Sequence, residues 1–238
     1  MDTNSNWIAR QLNRRGWKLE RVTILRDSLD NISKGIRETL KRRPDLAITV
    51  GGLGPTHDDM TLIGLGRAVG QPLVLNRQAL SIIKKRYETM GESTRLTKHR
   101  KKMAILPIES MPLPNSVGTA PGVLTKSGRT MIVSLPGVPQ EMRAIFKESV
   151  IPILKKTATI PPEEAYLRLV GIIESALAPI LVRAQRKYAQ LYFKSHPRGK
   201  ETGVVSLIQL HIYNTEKGAA RKITEAVAYI VRSLAELE

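Results

Sequence analysis

The chain reads as an α/β protein: a mainly parallel, doubly wound sheet, followed by a smaller α+β module. Three observations carry this expectation. The apolar run Leu46-Ala47-Ile48 passes into the glycine-rich turn Gly51-Gly52-Leu53-Gly54, and a second apolar run opens at Leu62, the order of buried strand, loop and helix. Strand-like and helix-like segments alternate up to about residue 148, as in a parallel sheet covered on both faces. The stretch from Lys155 to Glu164 has no amphipathic period and contains Pro161-Pro162, so it reads as a linker between residues 1–155 and 166–238.

Taken in order, Ser5 is placed to cap a first helix over Asn6–Arg15, which Gly16 ends. Leu19–Arg26 has the composition of a strand. Asp30 is expected to cap a helix with Ile32, Ile36 and Leu40 on one face, and Pro44 follows its stop. Leu46–Val50 is a buried strand, Asp59–Val69 a helix, and Arg77–Met90 a helix capped by Asn76. Gly122–Thr125 and Thr130–Leu135 pair around the turn Lys126-Ser127-Gly128-Arg129, and Pro139 starts a helix reaching Glu148. Beyond the linker come a strand (Tyr166–Val170), a helix (Ser175–Tyr188), two strands (Leu191–Lys194 and Val204–Ile212) and a closing helix. In that helix Ile223, Val227, Ile230 and Leu234 repeat at helical spacing. This is a βαββα module.

Composition narrows the function classes. No segment approaches the ~18 apolar residues of a membrane span, and Met1–Asn6 lacks the basic start and apolar core of a secretory signal. With no cysteine, thiolate metal sites and a cysteine nucleophile are excluded. A cytoplasmic protein without membrane partners is expected. Its 38 Lys+Arg against 21 Asp+Glu make +17, which suits polyanions, either nucleic acid or small phosphorylated substrates. The densest basic stretch runs from Lys84 to Lys102 with Tyr87 as its only aromatic residue. Single-strand binders offer stacking platforms. That segment offers almost none, so nucleic acid is not the favoured partner.

The loop after residue 50 carries the chemistry. Glycines let a backbone approach phosphate closely, and the free N–H groups of a helix start attract anions. Asp58 and Asp59 in the same place would repel that phosphate unless a divalent cation bridges the two. The pattern fits neither the Walker loop nor the dinucleotide fingerprint.

Several segments together resemble one family. Gly51-Gly52-Leu53-Gly54-Pro55-Thr56-His57-Asp58-Asp59-Met60-Thr61 is similar to its signature loop, and Leu113-Pro114-Asn115-Ser116-Val117-Gly118-Thr119-Ala120-Pro121-Gly122 to a second signature. Leu135-Pro136-Gly137-Val138-Pro139-Gln140-Glu141-Met142 is similar to a third. Gly171-Ile172-Ile173-Glu174-Ser175-Ala176-Leu177-Ala178 and Lys194-Ser195-His196-Pro197 resemble its second domain. The family is the competence/damage-inducible protein A (CinA) group, in the shorter form without a C-terminal deamidase domain. The resemblance implies a molybdopterin-binding-like domain over 1–155 and a KH-like βαββα domain over 166–238. It implies hydrolysis of ADP-ribose to AMP and ribose 5-phosphate with a divalent metal ion, Mg or similar, and a monovalent cation as a further candidate. Pterin or nucleotide binding in molybdenum cofactor metabolism without hydrolysis is the alternative, and a nucleic-acid-associated basic protein a second. A homo-oligomer is implied as well. The family pattern opens with a strand and a Gly-Asn-Glu-Leu-type turn ahead of the segment matching Asp2-Thr3-Asn4-Ser5. A domain starting here is expected to lack that strand and a loop bordering the site.

By this resemblance Asp59 and Asp58 are the catalytic and metal-binding candidates, Asp59 being the more widely shared. Gly51, Gly52, Gly54 and Thr56 are candidates to hold the diphosphate, with Asn115, Gly118 and Thr119 as contacts to nucleotide or ribose and Gly137 as a second close backbone approach. The plainer readings stay open: helix capping for the acids, tight turns for the glycines, and loop structure between Pro114 and Pro121. His57 is a candidate acid, base or third ligand, His196 a fold residue of the second module, and Asp27 a turn residue within reach of a site. Glu141 complements a helix dipole, and Lys101 or Lys102 is placed to neutralise a diphosphate or to solvate a helix face. An RNA-binding KH domain needs a Gly-X-X-Gly loop. Gly171-Ile172-Ile173-Glu174 fails at its last position, so RNA binding by that route is not expected.

Overall fold

The computed structural model describes residues 2–156, 163–200, 206–214 and 218–236. The expected linker lies mostly outside them. The chain groups into two compact units, one of residues 1–9 and 20–157, the other of residues 10–19 and 158–238.

The first helix, α1 (Thr3–Asn13), starts earlier than Ser5 predicts, because the Asp2 carboxylate accepts the Ser5 N–H at 3.0 Å. The strand expected at Leu19–Arg26 does not form. Those residues belong to no ladder, and Ile24 is 82% exposed. Val, Ile and Leu suit a strand only when a neighbour accepts its hydrogen bonds, and no described strand lies beside this one. Helix α2 (Leu29–Lys41) follows, capped by Ser28 rather than Asp30: Ser28 Oγ accepts from Asn31 N. Strand β1 (Leu46–Val50) leads through the glycine loop to α3 (Thr61–Val69), which the αL residue Gly70 ends.

Asn76 caps α4 (Arg77–Thr89) as expected, its Oδ1 accepting the Ala79 N–H at 2.9 Å. Four short pieces lie between the expected elements: β2 (Leu73–Leu75), α5 (Lys98–Lys102), β3 (Ile105–Pro107) and β4 (Met111–Leu113). Each is five residues or fewer, too short for periodicity to register. Strands β5 (Gly122–Ser127) and β6 (Thr130–Leu135) form the expected hairpin, turning at Gly128 with φ 56°. Helix α6 (Pro139–Ile145) widens into a π segment over Phe146–Val150 before α7 (Ile151–Lys156). Ile151 N–H bonds to Phe146 O, five residues back, next to Pro152, which has no N–H to give.

The four-stranded sheet runs β1-β6-β5-β4 and is mixed rather than mainly parallel. Only β1 and β6 are parallel, with Val50 opposite Leu135; β6–β5 and β5–β4 are antiparallel. The two-residue turn between β5 and β6 dictates this, since parallel neighbours need a long crossover. Both faces are covered. Val123 and Ile132 join a core with Ile32 and Ile36 of α2, Leu62 and Leu65 of α3, and Ala79 and Ile83 of α4. On the other face a Cβ at Gly122 would lie 3.0 Å from Ile145 of α6, and Trp7 packs edge-on against Phe146 at 5.4 Å.

In the second unit, β7 (Glu163–Val170), α8 (Glu174–Lys187), β8 (Tyr192–Lys200), β9 (Ser206–Asn214) and α9 (Ala220–Ala235) follow the βαββα order. The antiparallel sheet runs β7-β9-β8. Leu169, Ile208, Leu210 and Ile212 face a core with Leu177 and Ile180 of α8 and Ile223 and Ile230 of α9. Among the described residues no helix is long and apolar enough to cross a membrane.

Candidate functional site

Parallel β1 and β6 end side by side, and each runs into a glycine loop. Gly51 N–H donates to Leu135 O at 2.8 Å, and a Cβ built on Gly137 would meet Gly51 Cα at 3.4 Å and nothing nearer. Gly51 sits at φ 101° with nothing within 4 Å of where its Cβ would be. Bare main chain from two loops thus faces open space at the carboxyl ends of two parallel strands, the place where α/β sheets collect ligands. Asn4 of α1 reaches the same spot, donating from Nδ2 to Gly137 O at 2.8 Å. Its buried Oδ1 has no hydrogen-bond partner among the described residues.

The other two glycines of the first loop serve its packing. Gly52 (φ 68°) lies under Thr61, whose Oγ1 would be 2.3 Å from an added Cβ. Thr61 knits the loop shut: its hydroxyl donates to Gly51 O at 2.8 Å and its N–H to Gly52 O at 3.2 Å. Gly54 lies under Asp59, where an added Cβ would be 2.6 Å from Oδ2. That close approach is visible only in three dimensions, since nothing in the spacing singles out Thr61.

Asp59 Oδ2 accepts from Thr56 N at 2.9 Å and stands 2.6 Å from Thr56 Oγ1. Asp58 Oδ1 is within hydrogen-bond reach of the same hydroxyl. Thr56 has one hydroxyl proton to give and two carboxylates placed to take it. The Thr56 hydroxyl bond, and next its own backbone N–H, hold the Asp58 carboxyl below the ordinary carboxylate range, and the charges of His57 and Lys102 add to this. Lys102 Nζ donates to Thr56 O and, at 2.7 Å, to Asp59 O, clamping the loop from α5. His57 is exposed beside the acids.

The second loop is organised from within. Asn115 is 4% exposed; its Nδ2 donates to Ala120 O (2.8 Å) and Glu141 Oε2 (2.7 Å), and its Oδ1 accepts from Val117 N (3.1 Å) and Gly118 N (2.8 Å). These four bonds use the amide fully, so Asn115 shapes the loop. Gly118 makes room for Glu141, whose carboxylate would lie 2.1 Å from an added Cβ. Arg86 of α4 donates to Val117 O and, at 3.1 Å, to Gly118 O. Two members of the basic stretch, Arg86 and Lys102, are therefore engaged with loop carbonyls. Thr119 is half-buried in this loop.

A cavity of about 220 Å³ adjoins the first loop, lined by Gly52, Leu53, Gly54, Asp59, Leu62, Ile63, Leu73, Lys102 and Ile105. Its walls are mostly aliphatic, and Gly51, Gly137 and Asn115 are not among them, so it is distinct from the open space over the glycine pair. Among the described residues no three His, Asp or Glu side chains gather to hold a metal by themselves. The set Asp58, Asp59 and the Thr56 hydroxyl still suits Mg²⁺, which takes one or two carboxylates and completes its shell with water and substrate phosphate. A cation there would also relieve the crowding of two carboxylates around one hydroxyl.

Residues 1–156 match the family model described as a probable molybdopterin binding domain. A protein of Pyrobaculum arsenaticum is 37% identical over 242 residues, 98% of this chain and 89% of that one. One of Aeropyrum pernix is 37% identical over 242 residues, covering all of this chain and 88% of the other. Among solved structures, the protein CinA of unknown function from Thermoplasma acidophilum superposes with a TM-score of 0.58 at 38% identity, over 66% of this chain and 88% of that chain.

Proposed function

This chain belongs to the CinA family, whose first domain is of the molybdopterin-binding type, and on that premise we propose that it is a metal-dependent nucleotide pyrophosphatase. The substrate class is a nucleoside diphosphate sugar such as ADP-ribose, cleaved by water at its phosphoanhydride to AMP and ribose 5-phosphate. The observation that carries the reading is the placement of Asp58 and Asp59 around one Thr56 hydroxyl, in the loop that opens with Gly51 at the Gly51–Gly137 pair.

The main chain at Gly51 and Gly137 would seat the diphosphate, because no Cβ keeps its oxygens at a distance there. Asn4, through Nδ2, holds the Gly137 carbonyl and so fixes that edge of the seat. A divalent ion on Asp59 and Asp58 would supply polarisation of a phosphoryl oxygen and activation of water. Lys102 and Thr61 keep the loop in the shape that presents these groups.

ADP-ribose turnover, followed as AMP release, should require a divalent ion and vanish in Asp59→Asn. Asparagine can still accept the Thr56 N–H, so the fold should survive. Full activity in Asp59→Asn would end this assignment.

A second reading, molybdopterin or nucleotide binding without hydrolysis, is favoured by the family description over residues 1–156. It predicts calorimetric binding of the pterin, weakened in Gly137→Ala, and no AMP release from ADP-ribose.

A further inference from the structure

The outer face of the second unit's sheet carries a regular grid of side chains. Register places Glu164, Tyr213 and Tyr192 in one row, Tyr166, His211 and Lys194 in the next, and Arg168, Gln209 and His196 in the third. The alternate residues of the same strands face the core with α8 and α9. Four rings of the grid form a continuous stack. Tyr166 lies on His211 at 4.3 Å and 8°, His211 on Tyr213 at 4.6 Å and 25°, and Tyr213 on Tyr192 at 5.2 Å and 19°.

The two end rings, Tyr166 and Tyr192, are 53% and 56% exposed, and each has one ring neighbour in the stack. Three of the chain's six tyrosines are spent on this one surface. Cross-strand aromatic pairs do steady a sheet, but the inner face already buries its apolar side chains, and steadying a sheet does not call for end rings left half in water.

Among the described residues of the grid, Lys194 stands beside His196 and His211, and the carboxylate there, Glu164, is engaged by His211 Nε2 at 2.8 Å and by the Tyr166 hydroxyl at 3.1 Å. Arg14, of the same unit, contributes a further positive charge near Tyr166. Exposed aromatic faces beside cations on an open sheet are what single-stranded nucleic acid stacks upon: every base has a π-face, and the cations meet the phosphates. We infer that this sheet face is a binding surface for single-stranded nucleic acid, with bases stacking on Tyr166 and Tyr192 and the backbone held by Lys194 and its basic neighbours. The basic stretch at 84–102 offers only Tyr87, whose ring the Arg100 guanidinium covers at 3.5 Å. Gly171-Ile172-Ile173-Glu174 lacks the last glycine of a Gly-X-X-Gly loop, and this surface needs no such loop.

The test is fluorescence anisotropy of the full chain with a fluorescein-labelled single-stranded RNA of about 12 nucleotides. Binding should weaken as salt rises. Tyr166→Ala and Tyr192→Ala should each weaken it about 5- to 100-fold, whereas Tyr192→Phe, which keeps the ring, should bind like the parent. Lys194→Ala should reduce the salt slope by about 1 while leaving the stack intact. Circular dichroism and melting curves separate a lost surface from a lost fold. Equal affinity for duplex and single strand, or undiminished binding in a folded Tyr166→Ala, Tyr192→Ala double variant, would overturn the inference.

Discussion

At Thr56 a single proton serves two acids, and this makes the loop sensitive to small chemical changes. Thr56→Val should leave the backbone bond to Asp59 Oδ2 in place, so melting should move little while metal-dependent turnover falls. Asp58 gives a signed pH prediction. Its folded pKa lies below the unfolded value, so its contribution is complete above the ordinary carboxylate range. That contribution is lost only as pH falls through the lowered value. Asp58→Asn should therefore flatten the acid limb of the melting-temperature profile.

The glycines separate fold from ligand. Gly52→Ala forces a Cβ against Thr61 Oγ1 at positive φ and should cost about 1–3 kcal/mol in denaturant unfolding. Gly137→Ala meets only Gly51 Cα at an ordinary 3.4 Å. It should unfold within about 0.5 kcal/mol of the parent yet bind ADP-ribose more weakly, as calorimetry would show. If Gly137→Ala binds unchanged, the space over the glycine pair is not the phosphate seat.

At the scale of elements, what the sequence made legible was whatever a short window contains. An apolar run meeting glycines marks β1 and its loop; Asn76 at the head of α4 marks a cap whose loss to alanine should cost about 1 kcal/mol in thermal melts. The hairpin of β5 and β6 was visible in its turn. What failed depended on neighbours. Leu19–Arg26 has strand composition and finds no ladder, and the mixed sheet follows from connection lengths that alternation alone does not weigh. Asn115 looked like a ligand contact because its polarity was visible and its partners, Ala120 and Glu141, were not. The stacked tyrosines escaped for a related reason: β7, β8 and β9 are separated in sequence, and only their register aligns the rings.

At the scale of the whole molecule, each of the two units has a hydrophobic core among its described residues. Calorimetry should therefore show two transitions, and ADP-ribose with a divalent ion should raise only the one belonging to the first core. At a ligand concentration of about 100 Kd that shift amounts to about 2.7 kcal/mol. A single transition that moves as a whole would mean the cores unfold together.

Strand β1 has a consequence for handling the protein. It stands at the end of its sheet with Leu46, Ala47, Ile48 and Val50 along its length and, among the described residues, no strand paired on its other side. Such a rim is adhesive, and what holds molecules apart is mutual repulsion at +17. Salt shortens the reach of that repulsion to about 3 Å at 1 M. Concentrated solutions should therefore turn cloudy as salt is added and clear on dilution into low-salt buffer, so the salt that strips polyanions from the preparation is the same salt that invites it to precipitate.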